Sequence, residues 1–355
     1  MKIAIDVSQM CYLGSGVSRY VTGLTKALLE SSSHEFVLYA GTLRQRSFFT
    51  RLSQEKPWNQ ATWKIFPLPP RLAGFALTDS EIPFELLTGP VDLIHASDWS
   101  QPSAKAPIVT TVHDLVFVKY PSTVEPSILR AQTKRLNKIV ASQTQIIADS
   151  MSTKNDLMEI YHLPSSRIDV VYPGIDNRYA AQKIKEIDRV KRLYDLPDHF
   201  ILSVGTQEPR KNLARLVEAV SSLDIPLVIV GKHGWGSQTK TLGYVPDSDL
   251  PAIYASASVF AYPSLYEGFG FPVLEAMACQ TPVVTSNISS LPELVGKAGI
   301  LIDPTDVTSI STGIKQALAS RSKLIELGLK QSQKFTWDNT AKQTLEVYEK
   351  IIHRD

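Results

Sequence analysis

Short apolar runs rich in β-branched residues alternate with longer segments of helical periodicity along this chain. Most of the runs are continuous rather than alternating, which favours strands buried on both faces of a parallel sheet. The predicted strands are residues 2–7, 36–40, 63–66, 92–95, 108–112, 145–148 and 169–172, then 200–205, 226–231, 258–262, 282–286 and 299–302. The predicted helices are 17–29, 128–142, 152–161, 212–221, 249–255, 272–278 and 307–319. This order predicts an α/β protein with two doubly wound domains.

The length of the chain agrees with two such domains. Its 355 residues exceed one ordinary core and suit two domains of about 150–200 residues each. A turn at 172–176 and a charged helical segment at 181–194 place the junction between 174 and 197. Ligands bind beyond the carboxyl ends of strands in open parallel sheets, so two facing sheets predict a cleft lined by the loops that follow strands.

Charge and cysteine content exclude several classes of protein. With 37 Lys and Arg against 35 Asp and Glu, the net charge of +2 argues against a nucleic-acid binder held by bulk charge. Cys11 and Cys279 form no CxxC pair, which excludes a disulfide scaffold and a cysteine zinc site. No run approaches the ~18 apolar residues of a membrane span, and the N-terminus lacks the apolar core of a signal peptide. A cytoplasmic protein is expected.

A glycine-rich turn from a strand into a helix covers residues 262–277. Glu267 lies in the predicted loop, and Gly268 and Gly270 let the backbone approach a ligand. The first turn of the helix offers free N–H groups to an anion such as a diphosphate, namely those of Phe271, Val273 and Leu274. Glu275 could accept two hydrogen bonds from the vicinal hydroxyls of a ribose. The alternative is a capped helix in which Glu275 only complements the dipole.

Two adjacent cations follow the predicted strand at 200–205. Arg210 and Lys211 precede a helix that we expect Asn212 to cap. A guanidinium fork beside an ammonium group suits a pyrophosphate. Taken alone, such a dipeptide is more often part of a solvated surface turn.

Two further loops follow strands of the first half. His113 ends an apolar strand and could hydrogen-bond a substrate hydroxyl, oriented by Asp114 or by a backbone carbonyl. A structural histidine is the alternative. Gly14 and Gly16 open a helix after the first strand but lack the GxGxxG spacing, so the dinucleotide fingerprint is absent. The backbone at Gly16 could approach a phosphate or a sugar, and an ordinary tight turn is the alternative.

Together these segments resemble the retaining glycosyltransferases of the GT-B fold, specifically family 4 (glycosyl transferases group 1), and among them bacterial mannosyltransferases. The similarity extends over almost the whole chain. It includes the glycine turn and RY at 14–20, HD at 113–114, ADS at 148–150, YPGID at 172–176, VGTQEPRKNL at 204–213, LGYVPDSDL at 242–250, YPSLYEGFGFPVLEAMA at 262–278 and FTW at 335–337. The Glu-x7-Glu segment combined with the RKN segment is its most specific part. Gln280 replaces a glycine that is common in the family, and a local effect on the turn is expected.

The resemblance implies a role for each candidate residue. The position of Glu275 binds the ribose hydroxyls, and that of Glu267 contacts the donor sugar. Arg210 and Lys211 hold the diphosphate and neutralise the leaving group, while His113 lies beside the donor sugar. The implied donor-binding set is Gly16, Arg210, Lys211, Glu267, Gly268, Phe269, Gly270, Phe271, Val273, Leu274 and Glu275, and the implied catalytic residues are His113, Glu267, Arg210 and Lys211.

The same resemblance implies two facing Rossmann-like domains with a cleft between them. Residues 1–178 form the acceptor-binding domain, 179–337 the nucleotide-sugar domain, and 338–355 a helix that crosses back to the N-terminal domain. No metal or cofactor is expected, because the DSD triplet at 247–249 precedes a helical pattern and is typical of an N-cap. Retention by front-face attack and retention through a covalent intermediate stay open, and the sequence offers no obvious carboxylate nucleophile.

For the substrates, the resemblance favours mannose transfer from GDP-mannose to a glycan or lipid-linked acceptor in polysaccharide biosynthesis. A transferase of UDP-linked glucose or N-acetylglucosamine is the first alternative, and a sugar-nucleotide epimerase or hydrolase is another. Contacts to the base are expected through the backbone near 231–235 and 244–246. A third alternative is a non-enzymatic scaffold that binds a membrane or polyanion. The occurrence together of Glu267, Glu275, Arg210, Lys211 and His113 argues against it, because such a scaffold does not need this set.

Basic and aromatic residues are interleaved between 42 and 72. They are Arg44, Arg46, Arg51, Lys56, Lys64 and Arg71 with Phe48, Phe49, Trp58, Trp63 and Phe66. A second basic stretch at 128–140 carries Arg130, Lys134, Arg135 and Lys138. Such surfaces can bind the anionic inner face of a membrane. The alternative is a solvated helix face above an ordinary buried stripe.

Overall fold

The computed structural model describes residues 1–67, 78, 80–231 and 241–353. The chain forms two compact units. Unit 1 comprises Met1–Gly174 and the segment from Thr336 onward, and unit 2 comprises Ile175–Phe335. The sequence places the same two transitions at 178 and 337.

Unit 1 is built on a seven-stranded sheet of order β3-β2-β1-β4-β5-β6-β7, in which each neighbouring pair is parallel. Its strands are β1 (Lys2–Asp6), β2 (Glu35–Gly41), β3 (Thr62–Phe66), β4 (Leu93–Ala96), β5 (Ile108–Val112), β6 (Gln145–Ala148) and β7 (Ile168–Val170). Its helices up to residue 174 include α1 (Gly16–Ser31), α2 (Arg46–Leu52), α3 (Glu85–Thr88), α4 (Val116–Lys119), α5 (Pro126–Ala141) and α6 (Met151–Tyr161). The strand order reverses between β1 and β4, where the loops after neighbouring strands diverge and leave room for a ligand.

Unit 2 contains a five-stranded parallel sheet of order β12-β11-β10-β8-β9. Its strands are β8 (Ile201–Val204), β9 (Leu227–Val230), β10 (Val259–Tyr262), β11 (Val283–Ser286) and β12 (Gly299–Ile302). Its helices in the described residues include α7 (Ile184–Leu193), α8 (Leu213–Ser221), α9 (Leu250–Ser256), α10 (Phe271–Ala278), α11 (Leu291–Val295), α12 (Val307–Ala319) and α13 (Arg321–Ser332). Here the strand order reverses between β8 and β10, so the two loops that carry the predicted donor residues leave neighbouring strands. The predicted pair of Rossmann-like domains is confirmed.

The last helix, α14 (Trp337–Ile352), belongs to unit 1 although it follows unit 2 in the chain. Thr336 caps its N-terminus by accepting a hydrogen bond from the N–H of Asn339. The hydroxyl of Thr340 donates to the carbonyl of Tyr172 at 2.8 Å, and Lys350 pairs with Asp169 on β7 at 2.7 Å. These contacts attach the helix to the end of the unit 1 sheet.

Gln280 follows α10 with a φ of 63°, in the left-handed region that favours glycine. The glycine common at this position in the family would adopt this conformation without strain. For a side chain with a Cβ the left-handed region costs roughly 1–2 kcal/mol. The expected local effect on the turn is therefore a conformational one.

No helix in the described parts of the chain combines the length and apolarity that crossing a membrane requires.

Candidate active site

A buried ion cluster in unit 2 joins the loops that follow β8 and β10. Oε1 of Glu267 accepts hydrogen bonds from Nζ of Lys211 at 2.6 Å, from Ser264 at 2.7 Å and from the hydroxyl of Tyr262 at 2.9 Å. Its Oε2 lies 3.0 Å from Nη1 of Arg210. The fold therefore brings together three of the predicted catalytic residues, although more than fifty positions separate the cations from the carboxylate in the sequence.

The positive and negative charges in this cluster compensate one another. Burial raises the pKa of Glu267, but the charges of Lys211 and Arg210 outweigh it and hold that pKa at about 2. Burial, reinforced by the neighbouring guanidinium, lowers the pKa of Lys211. The Nε of Arg210 donates to Glu208 at 2.9 Å, so each cation has a carboxylate partner. An arriving anion would exchange these contacts for its own oxygens, while Glu267 keeps lone pairs for a sugar hydroxyl.

The loop geometry corrects one detail of the sequence prediction. Asn212 adopts a left-handed conformation before α8 and makes no side-chain cap. Its amide instead donates to the carbonyls of Pro263 at 3.0 Å and Pro304 at 2.6 Å. This side chain therefore holds the loop after β8 against the loop after β10, which fixes the distance between the cations and Glu267.

The glycine-rich turn before α10 is fixed by contacts within unit 2. The N–H groups of Val273 and Leu274 both donate to the carbonyl of Gly270, so the prediction that they are free is wrong. Gly270 has a φ of +112°, and a Cβ there would come within 2.9 Å of Leu291 on α11. The positive φ of this turn thus favours glycine, in addition to any approach of a ligand.

Other predicted residues of the turn have identifiable contacts. The carbonyl of Phe269 accepts a hydrogen bond from Ser290 at 2.8 Å, and its ring packs on Phe271 and Phe335 with centroids 5.2 and 5.9 Å apart. The N–H of Glu267, immediately before Gly268, donates to Ser289 at 2.9 Å. The backbone of the loop is therefore anchored from the β11–α11 connection.

Glu275 lies on α10 and is 1% exposed. Its Oε2 accepts a hydrogen bond from the hydroxyl of Tyr254 at 2.9 Å, and Tyr254 is itself fully buried. This contact orients the carboxylate by a partner that the sequence does not indicate. A ribose could contact this carboxylate only if the groups that now bury it moved aside.

His113 immediately follows β5 in unit 1, and its partner differs from the predicted ones. Its Nδ1 lies 2.6 Å from Oδ2 of Asp149, which follows β6 and is 3% exposed. Asp114 instead accepts a hydrogen bond from the N–H of Val116 at 2.9 Å. The edge of Tyr20 packs on the imidazole with centroids 4.7 Å apart. The ADS segment contains Asp149, but only the parallel pairing of β5 with β6 reveals it as the orienting residue.

The charge on His113 follows from this environment. Burial lowers its pKa, but Asp149, with Asp98 and Asp114 nearby, outweighs burial and raises that pKa to about 9. With Nδ1 directed at Asp149, the ring has Nε2–H as its remaining donor. His113 is thus arranged to donate a hydrogen bond rather than to accept a proton.

The raised pKa predicts a pH dependence of stability. Because the folded pKa of about 9 exceeds the ordinary value of 6.5, the His113–Asp149 pair stabilises the folded state fully below pH 6.5 and is lost as pH rises through 9. We expect unit 1 to lose up to roughly 3 kcal/mol over this window. Urea unfolding at several pH values checks it. In Asp149→Asn the slope between pH 6.5 and 9 should be nearly flat, and an equal slope in both proteins would contradict the pairing.

The N-terminal glycine turn offers backbone at the surface. Gly16 is exposed and is the first residue of α1, whose N-cap Ser15 accepts a hydrogen bond from the N–H of Ser18. Gly14 has a φ of +85° with nothing within 4 Å of a built Cβ. The turn therefore needs glycine at 14 for conformation, and no contact within the chain demands it.

A cavity of about 1000 Å³ lies inside unit 1, at the carboxyl ends of β1, β2, β4 and β5. Its walls include His113 and Asp114 after β5, together with polar groups from three other loops. Other lining residues are Asp6, Ser8, Tyr12, Ser15, Arg44, Gln45, Ser97, Asp98, Trp99, Gln132 and Arg135. The sequence pattern did not indicate that the loop after β4 lines a cavity.

The residues of the basic and aromatic stretch at 42–72 differ in their exposure to solvent. Phe49 is fully buried and Trp58 is 5% exposed, so these aromatic side chains belong to the core of unit 1. Arg135 of the second stretch is 3% exposed and also faces inward. Arg44, Arg46, Arg51 and Lys56 are exposed, and Arg71 lies outside the described residues.

The helix cap predicted at 247–249 has a definite outcome. Asp249 precedes α9 but makes no side-chain cap, because its oxygens accept hydrogen bonds from Arg189 and Tyr194, each at 2.6 Å. Within the described ranges, no group of three or more His, Cys, Asp or Glu side chains could hold a metal ion. Of the predicted base-contacting segments, 232–235 lies outside the described residues, while Tyr244 in the other is 61% exposed.

Comparison with known proteins gives consistent matches for both units. Residues 14–179 match the model of Glycosyltransferase Family 4, and 184–334 match that of Glycosyl transferases group 1. O-antigen chain mannosyltransferase B of Escherichia coli is 32% identical, over 98% of this chain and 99% of that protein. Serotype-specific mannosyltransferase WbdA of Escherichia coli is 34% identical over 58% of this chain but only 29% of its own length. Sucrose-phosphate synthase of Thermosynechococcus elongatus superposes with a TM-score of 0.77 at 20% identity, with complete coverage of both chains.

Proposed function

Because the chain belongs to the family 4, group 1 glycosyltransferases, we propose that it transfers mannose from GDP-mannose to a saccharide acceptor with retention of anomeric configuration. The chain is a hexosyltransferase of glycan biosynthesis. The name of the E. coli relative that matches it end to end supports mannose as the sugar. GDP as the nucleotide and retention rest on the family resemblance.

One observation carries the chemical assignment, the cluster in which Glu267 contacts both Lys211 and Arg210. When the bond from the anomeric carbon to the diphosphate breaks, negative charge grows on the leaving oxygen and positive charge on the sugar. The two cations would stabilise the first, and the Glu267 carboxylate would hold a sugar hydroxyl beside the second. Because the two cations are already held in place and largely buried, their charges act on the leaving group more strongly than they would in water.

The unit 1 residues supply the other half of the proposal. Charged by its contact with Asp149, His113 would donate Nε2–H to a donor-sugar oxygen. We assign the acceptor, a glycan or a lipid-linked saccharide, to unit 1. The acceptor hydroxyl attacks the anomeric carbon, and its proton leaves with the departing diphosphate or to solvent.

Nucleotide-induced stabilisation tests the donor assignment. With no metal added, GDP at about 100 times its Kd should stabilise the protein by roughly 2.7 kcal/mol in a thermal-shift assay, while UDP and ADP should not. Glu275→Gln should lose this gain because a neutral amide binds ribose hydroxyls less strongly. Tyr254→Phe, which removes only the partner hydroxyl, is the matched control and should keep most of it.

Each other outcome has a definite meaning. A rise with UDP alone would replace GDP-mannose by a UDP-linked glucose or N-acetylglucosamine. Release of free sugar at full rate without any acceptor would favour a hydrolase. An unchanged GDP shift in Glu275→Gln would remove that residue from the ribose contact.

We further propose peripheral binding to an anionic membrane through the exposed basic residues Arg44, Arg46 and Arg51. With Phe49 and Trp58 buried, electrostatic attraction is the main contribution, at about 1 kcal/mol for each cation near the surface. Binding to vesicles rich in phosphatidylglycerol should therefore fall steeply with salt and weaken in Arg44→Glu/Arg46→Glu. Equal sedimentation with neutral phosphatidylcholine vesicles would contradict the proposal.

A further inference from the structure

Asp98 follows β4 on the wall of the unit 1 cavity, and its carboxylate has no hydrogen-bond partner among the described residues. Its Oδ1 is fully buried. Its backbone carbonyl accepts a hydrogen bond from the side-chain amide of Gln132 at 2.9 Å. Because buried polar atoms are nearly always hydrogen-bonded, a carboxylate in this state indicates a missing donor.

Among the described residues, neither neighbouring cation donates a hydrogen bond to this carboxylate, although Nε of Arg135 is itself buried without a partner. Nη2 of Arg135 donates to Oγ1 of Thr110 at 2.7 Å and to the carbonyl of Thr111 at 2.8 Å. Nδ1 of His113 is directed at Asp149. Both cations still act through charge, since burial raises the pKa of Asp98 and these charges oppose the rise. A hydroxyl of a bound ligand would supply the missing donor.

The inner side of the carboxylate has room for one water. A second cavity of about 20 Å³ is lined by Asp98 and by Thr25, whose Oγ1 is also buried without a partner. This volume is enough for a single water molecule that bridges the two groups. A carboxylate has about four lone-pair sites, so such a water leaves acceptor capacity on the side of the large cavity.

Two exposed aromatic side chains line the same cavity as Asp98. Trp99, the next residue after Asp98, is 40% exposed, and Tyr12 from the loop after β1 is 60% exposed. Large rings present a flat apolar surface with a polar edge. A pyranose ring combines an apolar face of C–H groups with a rim of hydroxyl donors, so its chemistry matches a ring beside an unpartnered carboxylate.

We propose that Asp98 and Trp99 form the subsite for the terminal sugar ring of the acceptor. The carboxylate accepts a hydrogen bond from one ring hydroxyl, and the indole packs on the apolar face of the sugar. The ligand class is an uncharged pyranoside, because an unpartnered carboxylate requires a donor and repels an anion. This inference rests on the proposed function and names the part of the cavity that selects the acceptor.

The kinetic test uses methyl α-mannobioside as the acceptor probe with GDP-mannose as donor. Asp98→Asn and Trp99→Ala should each raise the acceptor KM about tenfold or more, while the donor KM stays within about twofold. Trp99→Phe keeps a flat ring and should stay close to wild type. Asp92→Asn is the matched control, because Asp92 is exposed, accepts from the N–H of Lys2 and lies off the cavity. Unchanged acceptor KM values in Asp98→Asn and Trp99→Ala, or equal rises in the donor KM, would overturn the subsite.

A binding measurement separates this inference from the proposed function. Saturation-transfer NMR of methyl α-mannobioside requires no turnover, so it applies even if GDP-mannose is the wrong donor. We expect transfer to the probe in wild type and in Asp92→Asn, and its loss in Asp98→Asn. A wild-type protein that transfers sugar but shows the same probe signal in Asp98→Asn would overturn the subsite alone. Absence of any signal in wild type would overturn it as well.

Discussion

Replacing Lys211 with methionine is expected to lower kcat about 10²- to 10³-fold, with a much smaller change in the donor KM. The Lys211 side chain is 11% exposed and its ammonium is bonded to Glu267 at 2.6 Å, so its charge acts in a medium that screens it weakly. Since the leaving diphosphate gains charge as the bond breaks, the contact strengthens in the transition state. Steady-state kinetics with the donor that stabilises the protein would measure the effect.

Methionine keeps most of the length of the side chain, so the loss reports on charge more than on packing. Lys330→Met is the matched control, because that side chain is 68% exposed and pairs with Glu326 on the same helix. It should keep wild-type kinetics. A tenfold rise in donor KM with unchanged kcat in Lys211→Met would mean that Lys211 binds the ground state and transition state equally.

Gly174→Ala is expected to destabilise unit 1 by roughly 3 kcal/mol or more. A Cβ at this position would lie 2.2 Å from the backbone nitrogen of Trp337 and 2.5 Å from the carbonyl carbon of Thr336. Backbone atoms at the start of α14 cannot rotate away as the end of a side chain can, so the helix itself has to move. Thermal unfolding should show a fall in Tm of about 5–10 °C.

Two variants serve as controls. Gly14→Ala meets nothing within 4 Å, so only its φ of +85° should cost stability, by about 1–2 kcal/mol. In Gly23→Ala the Cβ would fall 2.1 Å from the ring of Trp337, which is a side chain. Replacing that ring with a smaller side chain, in the double variant Gly23→Ala/Trp337→Leu, should therefore recover part of the lost stability. If Gly174→Ala unfolds like wild type, the start of α14 is not fixed against residue 174.

The sequence was sufficient for most of the fold, for a reason visible in particular strands. The runs at 2–7, 108–112 and 258–262 are mostly apolar, and nearly every residue of β1, β5 and β10 is buried, as expected for strands covered on both faces. Short, double-sided burial of this kind leaves a local signature. The predicted helix starts lie within two residues of the observed ones, but the cap predicted at Asn212 was wrong, because its amide bonds to two distant carbonyls instead.

For the candidate site, the residue types and their approximate places came from the sequence, whereas the partners did not. The Glu-x7-Glu segment and the RKN segment identify Glu267, Arg210 and Lys211 as a set. Which oxygen faces which cation depends on the pairing of β8 with β10, a contact between strands far apart in the chain. The N–H groups of Val273 and Leu274 were assigned to a ligand because intrahelical bonds at a helix start cannot be read from local sequence.

By itself, then, the sequence determined the alternation of strands and helices, the family and the identity of the ionisable residues. These depend on local burial and on chemistry that each residue carries with it. Only the tertiary structure decided that Asp149 rather than Asp114 orients His113 and that Tyr254 donates to Glu275. It also decided that Asp98 lines a cavity with no donor to its carboxylate among the described residues. The physical reason is that hydrogen bonds and electrostatic interactions depend on distances of a few ångströms between residues from different strands, and strand pairing sets those distances.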